Sequence, residues 1–227
     1  MKIIVMGTGG VGGYFGARLN NAGHDVAFIA RGEHLKAIKA NGLKILSELG
    51  DIIIHPAKAS ENPSDFGIAD IVLFCVKSYV TESSSNLIKP VVGPETAVIP
   101  FLNGIGHIEI MQKILGINNI VGGVAAISAL IEEPGVIRHN SAMQMLKFGE
   151  FNNEITPRIK AFQNACEESG INNAVPENIE TDLWQKIIMI CTLAGANCLT
   201  RLPLGVCRSN PATRNLMKNL AEEAVAV

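Results

Sequence analysis

The N-terminal segment constrains the fold more than any other stretch of the chain. A short apolar run, Lys2 to Met6, leads directly into Gly7-Thr8-Gly9-Gly10-Val11-Gly12, which matches the pattern G-x-G-x-x-G. Apolar residues then recur at spacings of three and four, the periodicity of one helix face: Val11, Tyr14, Phe15, Leu19 and Ala22. We therefore predict a β-strand, a glycine turn and an α-helix in immediate succession, the opening of a βαβ unit.

The glycine turn predicts a dinucleotide site. The first glycine lets the backbone turn sharply, the second lets it approach a pyrophosphate, and the third lets helix and strand pack closely. The unpaired N–H groups and the dipole of the helix start favour a bound anion. The predicted cofactor-binding residues of this turn are Gly7, Thr8, Gly9, Gly10, Val11 and Gly12. The alternative interpretation is a glycine-rich loop that only packs tightly.

The end of the second predicted strand indicates which dinucleotide is bound. The run Val26 to Ala30 is followed by Arg31, where an NAD enzyme carries Asp or Glu for the ribose 2′-hydroxyl. A guanidinium binds a 2′-phosphate through charge-assisted hydrogen bonds, whereas a carboxylate repels it. Arg31 therefore favours NADP(H). The alternative is an ordinary solvated arginine at a strand end.

Two further predicted strands end in polar residues. Ile71 to Val76 is a continuous apolar run, typical of a parallel strand covered on both faces, and Lys77 follows it. Ala97 to Leu102 is followed by Asn103-Gly104. Because open α/β sheets bind ligands at the carboxyl ends of their strands, Lys77 and Asn103 are candidate cofactor or substrate contacts. The alternatives are a surface lysine and a tight Asn-Gly turn.

The remaining patterns suggest two domains. Several short runs predict further strands and one helix: 43–46, 52–54, 120–131, 136–139, 143–148 and 157–169. After Pro176 no further strand is predicted, and Ile179 to Leu199 follows one long helical pattern. We predict a dinucleotide-binding domain over residues 1–176 and the start of a helical domain over residues 177–227. His107 and His139 lack companion ligands at metal spacing, so no metal site is predicted, and both are interpreted as surface or strand-edge residues.

Composition bounds the class of partner. With 48% hydrophobic and 18% charged residues, the chain is typical of a soluble globular protein, and a net charge of −2 gives no reason to expect nucleic acid or an acidic membrane as a partner. Ile187 to Ala196 is apolar but too short to span a bilayer. Five cysteines without a C-x-x-C pair favour free thiols in a reducing compartment. We expect a cytoplasmic protein with a small-molecule partner.

Several motifs in a fixed order carry a resemblance to a known family. Besides the glycine turn they are Arg31-Gly32-Glu33-His34-Leu35, Cys75-Val76-Lys77-Ser78, Leu102-Asn103-Gly104, Glu133-Pro134-Gly135-Val136-Ile137-Arg138-His139 and Trp184-Gln185-Lys186. With these motifs the chain resembles the 2-dehydropantoate 2-reductase (ketopantoate reductase) family from its first residue to its last. The resemblance implies a Rossmann domain, an all-helical C-terminal domain, and NADPH-dependent reduction of ketopantoate to pantoate on the route to pantothenate and coenzyme A.

The resemblance also implies roles for individual residues. Lys186 corresponds to the family's catalytic lysine, and Lys77 and Asn103 to residues that line the cofactor and substrate site. A lysine suits a keto reduction because negative charge builds on the substrate oxygen, and a positioned ammonium stabilises that charge and supplies a proton. The substrate-binding residues expected here are Asn103, Lys186 and Asn197.

The chain departs from the family pattern at two places. Ile190 and Ala194 stand where many members carry asparagine, so polar contacts to the substrate are missing from this helix face unless Asn197 or Thr192 supplies one. The last helix, predicted to begin at Asn210-Pro211, has an apolar stripe that stops without a C-cap, and family members continue further, so a C-terminally truncated chain is expected.

The function therefore keeps two alternatives open. One is a reductase of another branched 2-keto acid or lactone, and the other is a non-catalytic NADP(H)-binding redox sensor. Lys186 separates the enzyme from the sensor, because a sensor needs no proton donor. A homodimer is a possible assembly, on which the sequence is silent.

Overall fold

The computed structural model describes all 227 residues, and strands and helices alternate through most of the chain. The first elements are β1 Lys2–Met6, α1 Gly10–Asn21, β2 Asp25–Ile29, α2 Gly32–Asn41, β3 Leu43–Ser47, β4 Ile52–Ile54, β5 Lys58–Ser60 and β6 Ala69–Phe74. They are followed by α3 Thr81–Ile88, β7 Val92–Pro100, α4 Gly106–Leu115, β8 Gly122–Glu133, β9 Val136–Gly149, α5 Pro157–Glu168 and β10 Asn172–Ala174. The chain then continues only in helices: α6 Ile179–Thr200, α7 Leu204–Ser209 and α8 Pro211–Val225.

The first sheet is parallel throughout and has the strand order β5-β2-β1-β6-β7. Alternate residues of β1 enter different cores because successive side chains of a strand point to opposite faces. Ile3 and Val5 join the core that contains α1, while Ile4 and Met6 join the core formed with α3 and α4. Helices thus cover both faces, which confirms the predicted Rossmann-type α/β class.

The second sheet was not predicted as a separate layer. Its strand order is β10-β9-β3-β4, and β8 pairs with β9. The structure forms one strand, β9, where the sequence predicted two. The pairing with β8 shifts there, from Ile127 opposite Gln144 to Ala129 opposite His139, so residues 140–143 face a single residue of β8. This bulge interrupts the alternation of inward and outward side chains, which explains why the sequence pattern predicted two strands.

Helix α1 lies between the two sheets. Seven of its 12 residues are buried. A Cβ atom on Gly16 would lie 2.7 Å from the Val5 side chain in the first sheet, and one on Gly13 would lie 2.8 Å from the Ile137 side chain in the second. The glycines after the turn therefore allow this helix to contact a sheet on each side.

The C-terminal helices are more open. The predicted cap of the last helix is confirmed, because the Asn210 side chain accepts hydrogen bonds from the N–H groups of Ala212 and Thr213. Its apolar stripe packs on α6, where Leu220 contacts Gly195.

Helix α6 has 22 residues and contains an 18-residue window with a mean hydropathy of 1.2, which by length and composition alone would allow it to cross a membrane. The apolar part of this helix is longer than the sequence pattern indicated. Its first turns pack on the second sheet, where Ile179 and Leu183 form a small buried cluster with Val124. The start of α6 is therefore part of the globular fold.

Candidate active site

A cleft of about 530 Å³ opens at the carboxyl ends of β1, β2 and β6. Of the predicted cofactor residues, Gly7, Thr8, Gly9, Arg31 and Lys77 line it. Gly10, Val11, Gly12 and Asn103 do not. The cleft therefore lies where the sequence placed a ligand, at the carboxyl edge of a parallel sheet.

Two of the glycines serve close packing. Gly7 has a φ of +97°, and a Cβ atom there would lie 2.9 Å from the carbonyl oxygen of Cys75. A Cβ atom on Gly12 would lie 2.3 Å from the carbonyl oxygen of Gly7. The sharp turn predicted at Gly7 and the helix–strand contact predicted at Gly12 are both confirmed.

The other two glycines of the turn, Gly9 in the pattern and Gly10 at a variable position of it, differ from each other. No atom lies within 4 Å of the position of a Cβ on Gly9, so a ligand can approach the backbone there. A Cβ atom on Gly10 would lie 2.2 Å from the carbonyl oxygen of Ala129 in β8. Gly10 therefore joins the turn to the second sheet, a contact that the motif alone does not indicate.

The start of α1 presents free hydrogen-bond donors. The backbone N–H groups of residues 9–12 donate to no acceptor, and no side chain caps the helix. Such donors, together with the helix dipole, form a ready anion site. The residues present therefore fit the pyrophosphate of a dinucleotide, with open space at Gly9 to admit it.

Thr8 contributes to this turn through its backbone. Its hydroxyl and its N–H group both donate to the carbonyl oxygen of Ile29, each at 3.0 Å. The side chain is thus buried and bonded to β2. Through these two hydrogen bonds Thr8 fixes the position of the glycine turn relative to the end of β2.

Two cations in the cleft carry no partner. The Arg31 and Lys77 side chains are exposed and make neither a hydrogen bond nor an ion pair. The nearest carboxylate in the lining, that of Glu61, accepts a hydrogen bond from the Gly32 N–H group at 3.3 Å. Arg31 at the end of β2 and Lys77 after β6 are therefore both available to an anionic ligand.

The thiol in the cleft is unreactive. Burial raises the pKa of Cys75 to about 12, so the group stays protonated at neutral pH. It packs against Gly7. The cleft therefore offers free cations and backbone donors and no thiolate nucleophile.

Lys186 lies on the second turn of α6, close to β8. Its Nζ atom donates to the carbonyl oxygen of Ala125 at 2.8 Å, and burial lowers the pKa of the ammonium. A partly desolvated lysine is a stronger acid than a solvated one, as proton transfer to a substrate oxygen requires. The contact holds the ammonium beside the sheet rather than in open solvent.

His107 is a neighbour of Lys186 that the sequence interpretation missed. It is only 4% exposed, so its assignment to the surface was wrong. Burial and then the Lys186 charge lower its pKa to about 4, which keeps the imidazole neutral, and its Nε2 atom has no hydrogen-bond partner. Its place four residues after Asn103, just beyond a buried strand, was the one available signal. Perturbed pKa values of two adjacent groups are a mark of functional sites.

His139 was also wrongly assigned to the surface or a strand edge, since it is 3% exposed. Its Nδ1 atom lies 2.9 Å from the hydroxyl oxygen of Ser47, and its ring lies 4.4 Å from the Tyr14 ring between centroids. Both contacts are internal to the fold. His139 is therefore a structural residue of the second sheet.

A second contact fixes the start of α6. The Asp182 carboxylate pairs with the Lys147 ammonium of β9. Asp182 is one helical turn before Lys186, so the two residues lie on the same face. The helix is therefore attached to the second sheet at two successive turns, which sets the position of the Lys186 ammonium.

The structure does not bring Asn197 next to Lys186. The two residues share a helix face but are separated by eleven positions, or about 16 Å along the axis. The Asn197 Oδ1 atom is buried without a partner. The Thr192 hydroxyl donates to the carbonyl oxygen of Ile188 at 2.7 Å. One turn beyond Lys186 the helix presents the apolar Ile190. A polar contact from Asn197 or Thr192 to the substrate stays a prediction.

The predicted residues follow the order of the strands. Arg31 follows β2, the glycine turn follows β1, Lys77 follows β6 and Asn103 follows β7, and these four strands are neighbours in this order. At about 4.8 Å between strands, the row is about 14 Å long. An elongated ligand with phosphates near the middle matches this row.

The comparisons with known proteins agree with this geometry. The profile of the family described as Ketopantoate reductase PanE/ApbA matches residues 3–153, and that of Ketopantoate reductase PanE/ApbA C terminal matches residues 178–227. An uncharacterized oxidoreductase of Bacillus subtilis, YkpB, is 34% identical over 100% of this chain and 74% of its own length.

Two named reductases are similar over the same span. A 2-dehydropantoate 2-reductase of Mesorhizobium japonicum is 28% identical over 100% of this chain and 76% of its own length. The crystal structure of a 2-dehydropantoate 2-reductase from Geobacter metallireducens has a TM-score of 0.92 and 29% identity, and covers 100% of this chain and 74% of that one. The chain belongs to the ketopantoate reductase PanE/ApbA family of NAD(P)H-dependent oxidoreductases.

Proposed function

We propose that this protein is a cytoplasmic reductase that converts 2-dehydropantoate to pantoate with NADPH, a step of pantothenate and coenzyme A biosynthesis. The observation that carries the proposal is the partly buried Lys186 ammonium, which is held on the Ala125 carbonyl of β8 and lies close enough to His107, beyond the end of β7, to lower the pKa of that imidazole. A dinucleotide site alone would serve a sensor as well, but a partly desolvated lysine supplies the proton donor that a reductase needs, although it does not itself line the cleft.

NADPH, when bound, supplies the hydride that reaches the keto carbon. The free N–H groups of residues 9–12 hold the pyrophosphate, and the Arg31 guanidinium pairs with the 2′-phosphate. Lys77 adds positive charge where the cleft passes β6. Binding and orientation of the cofactor thus come from groups that have no other partner in the fold.

Lys186 then acts on the substrate. Its ammonium stabilises the negative charge that develops on the keto oxygen and transfers a proton to it, and the lowered pKa favours this transfer. The neutral His107 beside it adds no competing positive charge. Asn103, at the end of β7, is the proposed polar contact between cofactor and substrate.

The alternative substrate is another branched 2-keto acid or lactone, favoured by the apolar Ile190 one turn after Lys186. The test is NADPH oxidation with a panel that contains ketopantoate, ketopantoyl lactone and 2-ketoisovalerate. We expect the highest kcat/KM for ketopantoate. A clear preference for a different member would reassign the substrate, and NADPH binding without turnover of any member would support the sensor instead.

A further inference from the structure

His34 joins the glycine turn to a hairpin turn that lies 101 positions after His34 in the sequence. Its Nε2 atom lies 2.8 Å from the carbonyl oxygen of Thr8 in the glycine turn. Its Nδ1 atom lies 3.0 Å from the N–H group of Gly135 in the turn between β8 and β9. His34 also lines the cleft. One half-buried side chain thus connects the glycine turn to the hairpin of the second sheet.

These two contacts define the state of the ring. A backbone N–H group can only donate, so Nδ1 accepts and carries no proton. Nε2 then carries the proton and donates to the Thr8 carbonyl oxygen. Burial lowers the pKa of His34, which favours this neutral form.

The contact with Thr8 orients a donor of the cofactor site. The Thr8 carbonyl and the Gly9 N–H group belong to one trans peptide, so they point in opposite directions. A fixed carbonyl therefore fixes the direction of the Gly9 N–H group, which is one of the free donors at the helix start.

The contact with Gly135 serves a different purpose. The carbonyl oxygen of Gly135 accepts a hydrogen bond from the Lys44 N–H group at 2.9 Å, and a Cβ atom on Gly135 would lie 3.1 Å from that of Ala37. The hairpin turn is therefore packed on α2 and β3 through several contacts, of which His34 is one. It is not adjacent to the free donors.

We propose that His34 is a positioning residue of the dinucleotide site, which holds the Thr8–Gly9 peptide through Nε2 and the hairpin turn through Nδ1. The proposal rests on the proposed binding of NADPH at the glycine turn. It predicts that loss of the Nε2 hydrogen bond weakens cofactor binding, whereas loss of either hydrogen bond lowers the melting temperature of the protein.

Two substitutions separate the bonds. A glutamine amide nitrogen occupies the ε position, so His34→Gln retains a donor toward Thr8 and loses the acceptor for Gly135. An asparagine oxygen occupies the δ position, so His34→Asn retains that acceptor and loses the donor. Each variant loses one hydrogen bond, so their melting temperatures should fall by similar amounts.

The measurement is NADPH affinity by fluorescence titration, with the melting temperature measured in parallel. We expect Kd to stay within about threefold for His34→Gln and to rise about tenfold for His34→Asn, the size of one hydrogen bond. If His34→Asn does not fold, His34→Met, which has neither polar atom, takes its place with the same expectation. Equal Kd values for His34→Gln and for the asparagine or methionine variant would overturn this inference and leave the proposed function standing. Failure of the unsubstituted chain to bind NADPH would overturn the proposed function and this inference with it.

Discussion

Helices α1 and α6 carry the two main parts of the candidate site and are held in opposite ways. Seven of the 12 residues of α1 are buried, and its glycines contact both sheets, whereas only three of the 22 residues of α6 are buried. Helix α6 is attached to the second sheet through its first turns, by the Lys147–Asp182 pair and the contact of Lys186 with Ala125, while its later turns pack on α8. We infer that the stability of the fold depends on the packing of α1, whereas the main role of α6 in the site is to position the Lys186 ammonium.

The largest expected effect is on stability at α1. Gly12→Ala places a Cβ atom 2.3 Å from the Gly7 carbonyl oxygen, so the free energy of unfolding should fall by about 3 kcal/mol. The matched control is Gly205→Ala in α7, where no atom lies within 4 Å of the added Cβ. There, stability should be unchanged or rise by up to about 1 kcal/mol. Urea unfolding of both variants measures the difference, and equal losses would mean that the close contact at Gly12 does not govern the stability of α1.

The next effect is on turnover at α6. Lys186→Ala should lower kcat by at least about 10²-fold, because the variant lacks the group that stabilises and protonates the substrate oxygen. NADPH affinity should stay within a few-fold, since the glycine turn is untouched. The control is Lys218→Ala in α8, whose side chain is 70% exposed and pairs only with Glu222. Steady-state kinetics that show unchanged kcat for Lys186→Ala would move the proton donor elsewhere.

A smaller effect is expected for the dependence of stability on pH. The folded-state pKa of His107 is about 4, below the ordinary value of 6.5, so the unfolded chain binds a proton more readily. The stability contributed by the neutral ring is present above pH 6.5 and is lost as the pH falls toward 4, by about 2 kcal/mol at pH 5.

The test of this contribution is His107→Met, which removes the titrating ring without breaking a hydrogen bond to Nε2. Thermal unfolding of both proteins between pH 8 and pH 5 should show a smaller acid-induced loss for the variant. Parallel curves for the two proteins would mean that the pKa of His107 is the same in the folded and the unfolded chain, so that burial does not lower it.

The glycine turn shows what local sequence can predict. The strand, the turn and the helix between Lys2 and Asn21 are contiguous, so their periodicity and glycine spacing were sufficient, and the positions of Arg31, Lys77 and Asn103 just after strands followed from the apolar runs that precede them. The second sheet could not be predicted, because β3 pairs with β9 across about ninety residues and the sequence of a short strand does not indicate which strand it pairs with.

Individual side-chain environments were equally hard to predict. His107 lies at the start of α4. Its burial depends on how α4 packs against the first sheet and on the position of α6, which lies about seventy residues further along the chain. The link from His34 to Gly135 likewise joins a helix to a distant turn. Such contacts follow from tertiary packing, which local periodicity does not encode.

The central claim is that the glycine turn and Arg31 form an NADPH site, and one experiment tests it most directly. NADPH and NADH are titrated against the protein and its Arg31→Ala variant. We predict that the substitution weakens NADPH binding by about 1.5 to 3 kcal/mol, the range for hydrogen bonds to charged groups, and leaves NADH binding nearly unchanged. Equal losses for the two cofactors would contradict the assignment of Arg31 to the 2′-phosphate.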